Sequence, residues 1–412
     1  MPRLVVLDPV LDRVVGHPHA FAAALPAAAA ARGLETRLHG GTQVPADFAR
    51  RWDVTPLFRP SPRRRNAPGP VNGTLVAGPL LRLIDDLRQM VEDLHSPAAP
   101  AVAADDLVLL PTATPAAMIA VAEWLASLAP ATRPRVAATI HEAADIFLGR
   151  PPGLTFEAMA WRAAGVALLN VLGERLVRLT ATTDTLADAL GRSTDLPVTA
   201  VPVANPIGLY ACDIPADRRS DAEGRTTVAL LGMPRIDKGN SELVPAIAAA
   251  IAAAVPGAWL LVQARSDFDR RRDLPASGAL ARANIHPGPL PEDVYVLALR
   301  STAVMVVPYD PRFYRARVSG IFVDAAGAGC VTVVPAGTWM AERIAAGEAA
   351  GVVFEKLSPD AVAAATAEAV RLLPTLAPVA LRCAAHWLRS VGPGPYLDAV
   401  LASFAAPPVP RR

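Results

Sequence analysis

Two short segments hold most of the residues in this chain that can do chemistry. The first, VALLGMPRIDKGN (residues 228–240), reads as a buried strand, then Gly232, then Arg235 and Lys238 three residues apart, with Gly239 before a helix. Two cations beside a strand-end turn are placed to hold a diphosphate, because ligands of open parallel sheets bind beyond the carboxyl ends of the strands. The N-terminus of the following helix adds a positive field of its own. Such spacing also occurs at ordinary helix starts, so this segment gains weight only in combination with a second.

The second segment is VVPYDPRFYRARVSGIFVDAAGAGCVTVVPAGTWMAE (residues 306–342). A strand ends at Pro308, a loop carries Tyr309, Asp310, Tyr314, Arg315 and Arg317, and Ser319 and Gly320 open a helix. Backbone N–H groups at that helix start, over Ser319, Gly320 and Ile321, can receive a phosphate. Asp324 sits about a turn further in, where a carboxylate can accept hydrogen bonds from both ribose hydroxyls. Arg315 and Arg317 neutralise charge or position an acceptor, and Tyr309 belongs with them. Trp339, just after Gly337 and Thr338, is either a core anchor or a stacking platform for donor or acceptor.

Together the two segments resemble the retaining GT-B glycosyltransferases of the large family four. That family pairs a strand–glycine–Arg-x-x-Lys-Gly element with a later acidic residue in a helix preceded by Gly-rich turns. The likeness runs from about Val228 to Phe354. It implies that Arg235 and Lys238 hold the diphosphate of a nucleotide-sugar donor, beside Gly232, and that Asp324 takes the ribose role usually filled by glutamate. Most relatives carry a further glutamate eight residues earlier, where this chain has Ala316. The implied reaction is a front-face substitution with retention, in which the departing phosphate helps to deprotonate the acceptor. It needs no protein nucleophile, no metal and no cofactor beyond the nucleotide sugar itself.

In the first half, PVLDRVVGHPHAF resembles the opening loop of such enzymes, where Gly16 lets backbone approach the donor phosphates. His17, and less so His19, either touches phosphate or acceptor or is a surface group. ATIHEAADIF places His141 at the end of an expected strand, a candidate sugar or acceptor contact grouped with the catalytic residues. Glu142 is the only carboxylate near it that could act as a base. Thr183 and Asp184 read as a helix cap.

The elements that must position these residues alternate. Apolar runs at Leu4–Leu7, Glu35–Leu38, Leu107–Leu110, Val136–Ile140 and Val198–Val201 read as strands, with helix-like stretches between them, including Pro115–Leu128 and Glu157–Arg178. After a polar, irregular stretch from Asn205 to Arg225, a second alternation follows at Thr227–Leu231, Trp259–Gln263, Ala303–Val307, Val331–Val334 and Gly351–Phe354. Such alternation implies parallel sheets covered on both faces. The expected fold is α/β, two Rossmann-like doubly wound domains facing a cleft. The expected division is an acceptor domain over residues 1–205, a hinge-like linker over 206–225, a donor domain over 226–385, and a C-terminal helix and tail over 386–412. The Pro- and Arg-rich stretch Asp53–Pro70 reads as a mobile loop, either ordinary surface or an acceptor-binding flap.

Composition sets outer bounds. At 412 residues the chain is too long for one ordinary core, and 52% apolar with 19% charged residues excludes global disorder. A net charge of +2 gives no argument for nucleic acid. Arg63–Arg65 and Arg270–Arg272 form the local basic excess, read as solvated loop charges or as contacts to an acceptor lipid or anionic membrane surface. Asp8 and Asp12 interrupt what would be a signal-peptide core. The three scattered cysteines fit a reducing compartment. A cytoplasmic protein, with peripheral contact at the inner face of the membrane, is therefore expected. Its partners would be a nucleotide-sugar donor and a glycan or lipid-linked acceptor. A nucleotide-sugar epimerase and a non-catalytic sugar-nucleotide-binding protein are the rival readings.

Overall fold

The computed structural model describes residues 1–12, 17–60, 77–143, 155–207, 224–267 and 283–405. The chain divides into two compact units: Met1–Ala204 together with Pro393–Arg412, and Asn205–Gly392.

Among the described residues the first unit holds seven strands: β1 (Arg3–Leu7), β2 (Glu35–Gly41), β3 (Val54–Phe58), β4 (Leu107–Leu110), β5 (Arg135–Ile140), β6 (Val177–Ala181) and β7 (Val198–Ala200). They pair in the order β3-β2-β1-β4-β5-β6-β7, all parallel. The order reverses between β1 and β4, the kind of switch point where open sheets leave room for a ligand. Leu4 and Val6 pack with the helices His17–Ala30 and Pro393–Ala405, and Val5 and Leu7, pointing the other way, are buried as well. Burial on both faces explains why these strands read as unbroken apolar runs rather than alternations.

The C-terminal helix is an integral part of the first unit, where the sequence reading set residues 386–412 apart. Its Tyr396, Leu397 and Val400 are buried in the core beside Phe21 and Leu25. The Tyr396 hydroxyl lies 2.6 Å from Thr139 Oγ1, which in turn lies 2.8 Å from Thr180 Oγ1, so three buried hydroxyls satisfy one another across β5, β6 and the helix. Arg32 clamps the outside of the same helix through Asp398 at 2.6 Å and the Gly394 carbonyl at 2.9 Å.

The second unit repeats the plan with six described strands: β8 (Thr227–Leu230), β9 (Trp259–Ala264), β10 (Ala283–Pro287), β11 (Val304–Val306), β12 (Val331–Pro335) and β13 (Gly351–Phe354). Their order is β10-β9-β8-β11-β12-β13, again all parallel, reversing between β8 and β11. Its core is built from Val228, Leu230, Val304, Val306, Val331 and Val333 under the helices Asn240–Ala254 and Pro359–Arg371.

Two sequence expectations change, and one strand is added. The helix read as Glu157–Arg178 is Phe156–Leu172, stopped by Gly173 at φ 74°, which leaves Val177–Ala181 free to become β6. Val54–Phe58, placed in a loop, is the edge strand β3. Ala283–Pro287, unassigned in the sequence, is the edge strand β10. The basic runs 63–65 and 270–272, the rest of the proposed flap from residue 61 and most of the expected linker lie outside the described residues. No single described helix is long and apolar enough to cross a membrane.

Because Tyr396 anchors the returning helix by both packing and hydrogen bonding, Tyr396→Ala should lower unfolding free energy by about 3–5 kcal/mol in urea titrations. Tyr396→Phe should cost less, since only the hydroxyl network is lost.

Candidate nucleotide site at the carboxyl edge of the second sheet

The switch point between β8 and β11 is assembled by two glycine turns. After β8, Gly232 adopts φ +98°, and a β-carbon there would stand 2.8 Å from Tyr309 Oη and 3.2 Å from Ile321 Cγ1. Only glycine meets both the backbone angle and the space. A short 3-10 turn, Ile236–Lys238, ends at Gly239 with φ +82°, and the helix Asn240–Ala254 begins. A β-carbon on Gly239 would lie 3.1 Å from the Pro308 carbonyl, so this turn is pressed against the end of β11. The Asp310 N–H donates to the Asp237 carbonyl at 3.1 Å and ties the two loops together.

Lys238 and Asp237 differ sharply in their surroundings. Lys238 is half-buried, its Nζ 5.1 Å from the centre of the Tyr309 ring, and it makes no ion pair among the described residues. Burial and then the nearby Arg235 charge push its pKa down to about 8. Asp237 is buried and gathers three donors: Arg235 Nη2 at 3.0 Å, Arg317 Nη1 at 3.1 Å and Tyr314 Oη at 3.2 Å. Asp237 therefore fixes two cations whose charge exceeds its own. Sequence reading passed over it because an acid between Arg235 and Lys238 looks like a solvated turn residue.

Across the switch point, Ser319 caps the helix Gly320–Gly327, its Oγ accepting the Phe322 N–H at 3.2 Å. Asp324 lies within that helix, 2% exposed, accepting from Tyr295 Oη at 2.7 Å and from Asn205 Nδ2 at 3.4 Å. Burial raises its pKa to about 7 against the opposing pull of those two donors and of Lys238. Tyr309 is buried, its hydroxyl pushed well above the ordinary tyrosine value by burial and, among the described residues, within hydrogen-bond geometry of no partner.

The structure thus gathers Gly232, Lys238, Tyr309, Ser319, Gly320, Ile321 and Asp324 at one end of one sheet, with Arg235 and Arg317 joined to them through Asp237. Arg315 is exposed on the adjoining loop, and Ala316 beside it is buried. Trp339 stands apart: it packs edge-on against Phe322 at 5.7 Å and Trp387 at 6.1 Å and is 5% exposed. Of the two readings given for it, the core anchor is the one this environment favours.

In the first unit His141 lies at the end of β5, its Nε2 2.6 Å from the Pro111 carbonyl that follows β4. Glu142 beside it is exposed. Gly16 and the His17 side chain lie outside the described residues, and the His19 ring sits 4.0 Å from that of Phe48. Asp8, read in the sequence only as a charge that interrupts an apolar run, ends β1 at the switch point. Burial raises its carboxyl to about 7 although the Val10 N–H, at 3.3 Å, pulls the other way.

Asp8 gives a signed expectation. Its folded value lies above the ordinary 3.8, so between the two values it binds a proton on folding; it costs nothing below the ordinary value, and the cost accumulates as pH rises from there to about 7 and stays constant above. Asp8→Asn should therefore be more stable than wild type by at least ~1 kcal/mol at about pH 8, with the gain vanishing towards about pH 4. Urea midpoints measured across that range check it.

No protein-family model and no curated protein matches this sequence. Solved structures match it along nearly its whole length. An α,α-trehalose-phosphate synthase (UDP-forming) from Burkholderia xenovorans, in complex with glucose-6-phosphate, has a TM-score of 0.64 at 13% identity, over 98% of this chain and 100% of that one. Anabaena HepE in complex with UDP has a TM-score of 0.63 at 13% identity, over 97% and 100%. A Listeria monocytogenes protein named as a UDP-N-acetylglucosamine 2-epimerase has a TM-score of 0.56 at 15% identity, over 98% and 96%. The chain has the GT-B fold, and at these identities the likeness reaches no further than the fold.

Proposed function

We propose that this protein is a glycosyltransferase that moves a sugar from a nucleoside-diphosphate donor to a hydroxyl of a glycan or lipid-linked acceptor. The observation that carries the reading is the meeting of Lys238, the Gly232 turn, the capped helix start at Ser319–Ile321 and Asp324 at the switch point of the second sheet. A diphosphate needs fixed positive charge and a backbone that lets it approach, and a ribose needs an acid close by. This sheet edge supplies all of them.

In the proposed step Lys238 and the helix start stabilise the charge that appears on the departing diphosphate, which makes a bound metal unnecessary. Asp237 positions Arg235 and Arg317 and spreads positive charge along the same edge. Asp324 accepts hydrogen bonds from the ribose, replacing those it now receives from Tyr295 and Asn205. Retention is the outcome set by the family resemblance, as is the assignment of His141 to the sugar or acceptor. A cytoplasmic setting, with peripheral contact to the inner face of a membrane, belongs to the same proposal.

Among solved structures of this fold, HepE in complex with UDP is consistent with a nucleotide-sugar donor, and the Listeria protein named as an epimerase keeps the rival reading specific. Incubation with donor alone separates them: an epimerase converts the donor sugar, a transferase at most hydrolyses it slowly. Turnover against a panel of donors and lipid-linked acceptors separates both from a non-catalytic binder.

Thermal shifts with UDP, GDP and ADP sugars should show one responsive nucleotide, since a ligand that binds the native state raises its midpoint by mass action. Lys238→Ala should weaken that nucleotide at least ~10-fold by calorimetry, the loss of a charge-assisted contact. Arg235→Ala should cost less, because its guanidinium already spends its reach on Asp237. Unchanged affinity in the double variant would overturn the diphosphate assignment. Wild-type affinity should also fall as pH rises through about 8, where Lys238 loses its proton. Chelation with EDTA should leave turnover unchanged.

A further inference from the structure

Gln263 takes no part in the site as described so far, yet its side chain spans it. It stands near the end of β9, the strand between β8 and β10, and is 6% exposed. Its Oε1 accepts the Gly232 N–H at 2.7 Å, and its Nε2 donates to the Gly288 carbonyl at 2.9 Å. Gly288 follows β10 with φ +82°, and its own N–H donates to the Ala264 carbonyl at 2.9 Å. One amide therefore joins the glycine turns that close two different strands, one on each side of its own. The orientation of the amide is fixed by its partners, because an N–H can only donate and a carbonyl can only accept.

We infer that Gln263 is a positioning residue for nucleoside-diphosphate binding, holding the Gly232 and Gly288 turns in register along the sheet edge. This rests on the nucleotide-site reading above. Gly232 spends its N–H on Gln263, so it serves a phosphate by leaving room, while donors come from Lys238 and the helix start. That room depends on the turn staying packed against Tyr309. No hydrocarbon side chain can accept and donate in opposite directions, and a carboxylate can do only the first.

The test compares wild type, Gln263→Met and Gln263→Glu for binding of the nucleotide that shifts the wild-type melting temperature. Binding is measured by calorimetry between about pH 9 and about pH 5, alongside thermal melts, and variant affinities are expressed relative to wild type at each pH. Gln263→Met, which strands both partners, should lose about 10-fold or more throughout. Gln263→Glu should lose a similar factor at high pH, where two acceptors face each other across the Gly288 contact. It should recover to within about threefold as protonation restores a donor. In turnover assays the loss should appear in donor KM rather than kcat.

Affinity within about twofold of wild type for Gln263→Met, or for Gln263→Glu at high pH, would overturn the inference. So would a Gln263→Glu deficit that ignores pH and follows the melting temperature, which marks a folding residue. Should Gln263→Met not fold, the pH series of Gln263→Glu decides alone. A wild type that binds none of UDP, GDP and ADP sinks the functional reading and this role together, whereas normal wild-type binding with indifferent variants sinks this role only.

Discussion

At Gly232 the chain leaves β8 with φ +98°, and a β-carbon would stand 2.8 Å from the Tyr309 hydroxyl oxygen. That steric limit governs much of the second unit's sheet edge. It lets the ends of β8 and β11 close on each other where the strand order reverses. It keeps Tyr309 lodged below the turn, and Tyr309 in turn offers its ring to Lys238 at 5.1 Å and to Tyr314 at 4.6 Å. The glycine is thus less a flexible point than a fixed gap around which aromatic and cationic groups are arranged.

Electrostatics build on that gap. Asp237 would be a costly buried charge by itself, but it receives two guanidinium groups and a phenol, so its desolvation is offset by hydrogen bonds of good length. The result is a site with excess positive charge whose cations are held rather than mobile. Lys238 is the exception, lacking an ion pair among the described residues and carrying a pKa lowered to about 8. A cation kept in that state gains most from an arriving anion, since the ligand's charge offsets the desolvation that lowered its pKa.

Most strands of the sheet interiors, though not β6, were legible because burial on both faces forces unbroken apolar runs such as Leu107–Leu110 and Val331–Val334. Edge strands β3 and β10 were not: VTPLF in the one and ANIHP in the other each carry polar residues and a proline, which suit a strand paired on one side only. The boundary at Gly173 was missed because the apolar spacing runs on into β6. Of the site, Gly232, Lys238, Ser319 and Asp324 were readable because they sit at fixed offsets from strand ends. Asp237 and Gln263 were not, because what distinguishes them is who they bond to across the sheet. Asp8 belongs with them, since only the fold shows that its carboxyl is buried.

The helix Pro393–Ala405 bears on how the protein is made. The core of the first unit includes Tyr396, Leu397 and Val400, so its apolar surface over Phe21 and Leu25 stays uncovered while residues 205–392 are being synthesised. A nascent chain therefore completes its second unit, which is continuous in sequence, before its first. Domain-by-domain folding from the N-terminus, the usual order on the ribosome, is inverted here. A stalled or nicked chain that lacks residues 393–412 would carry an intact second unit and an unfinished first one, with the exposed surface that chaperones and proteases recognise.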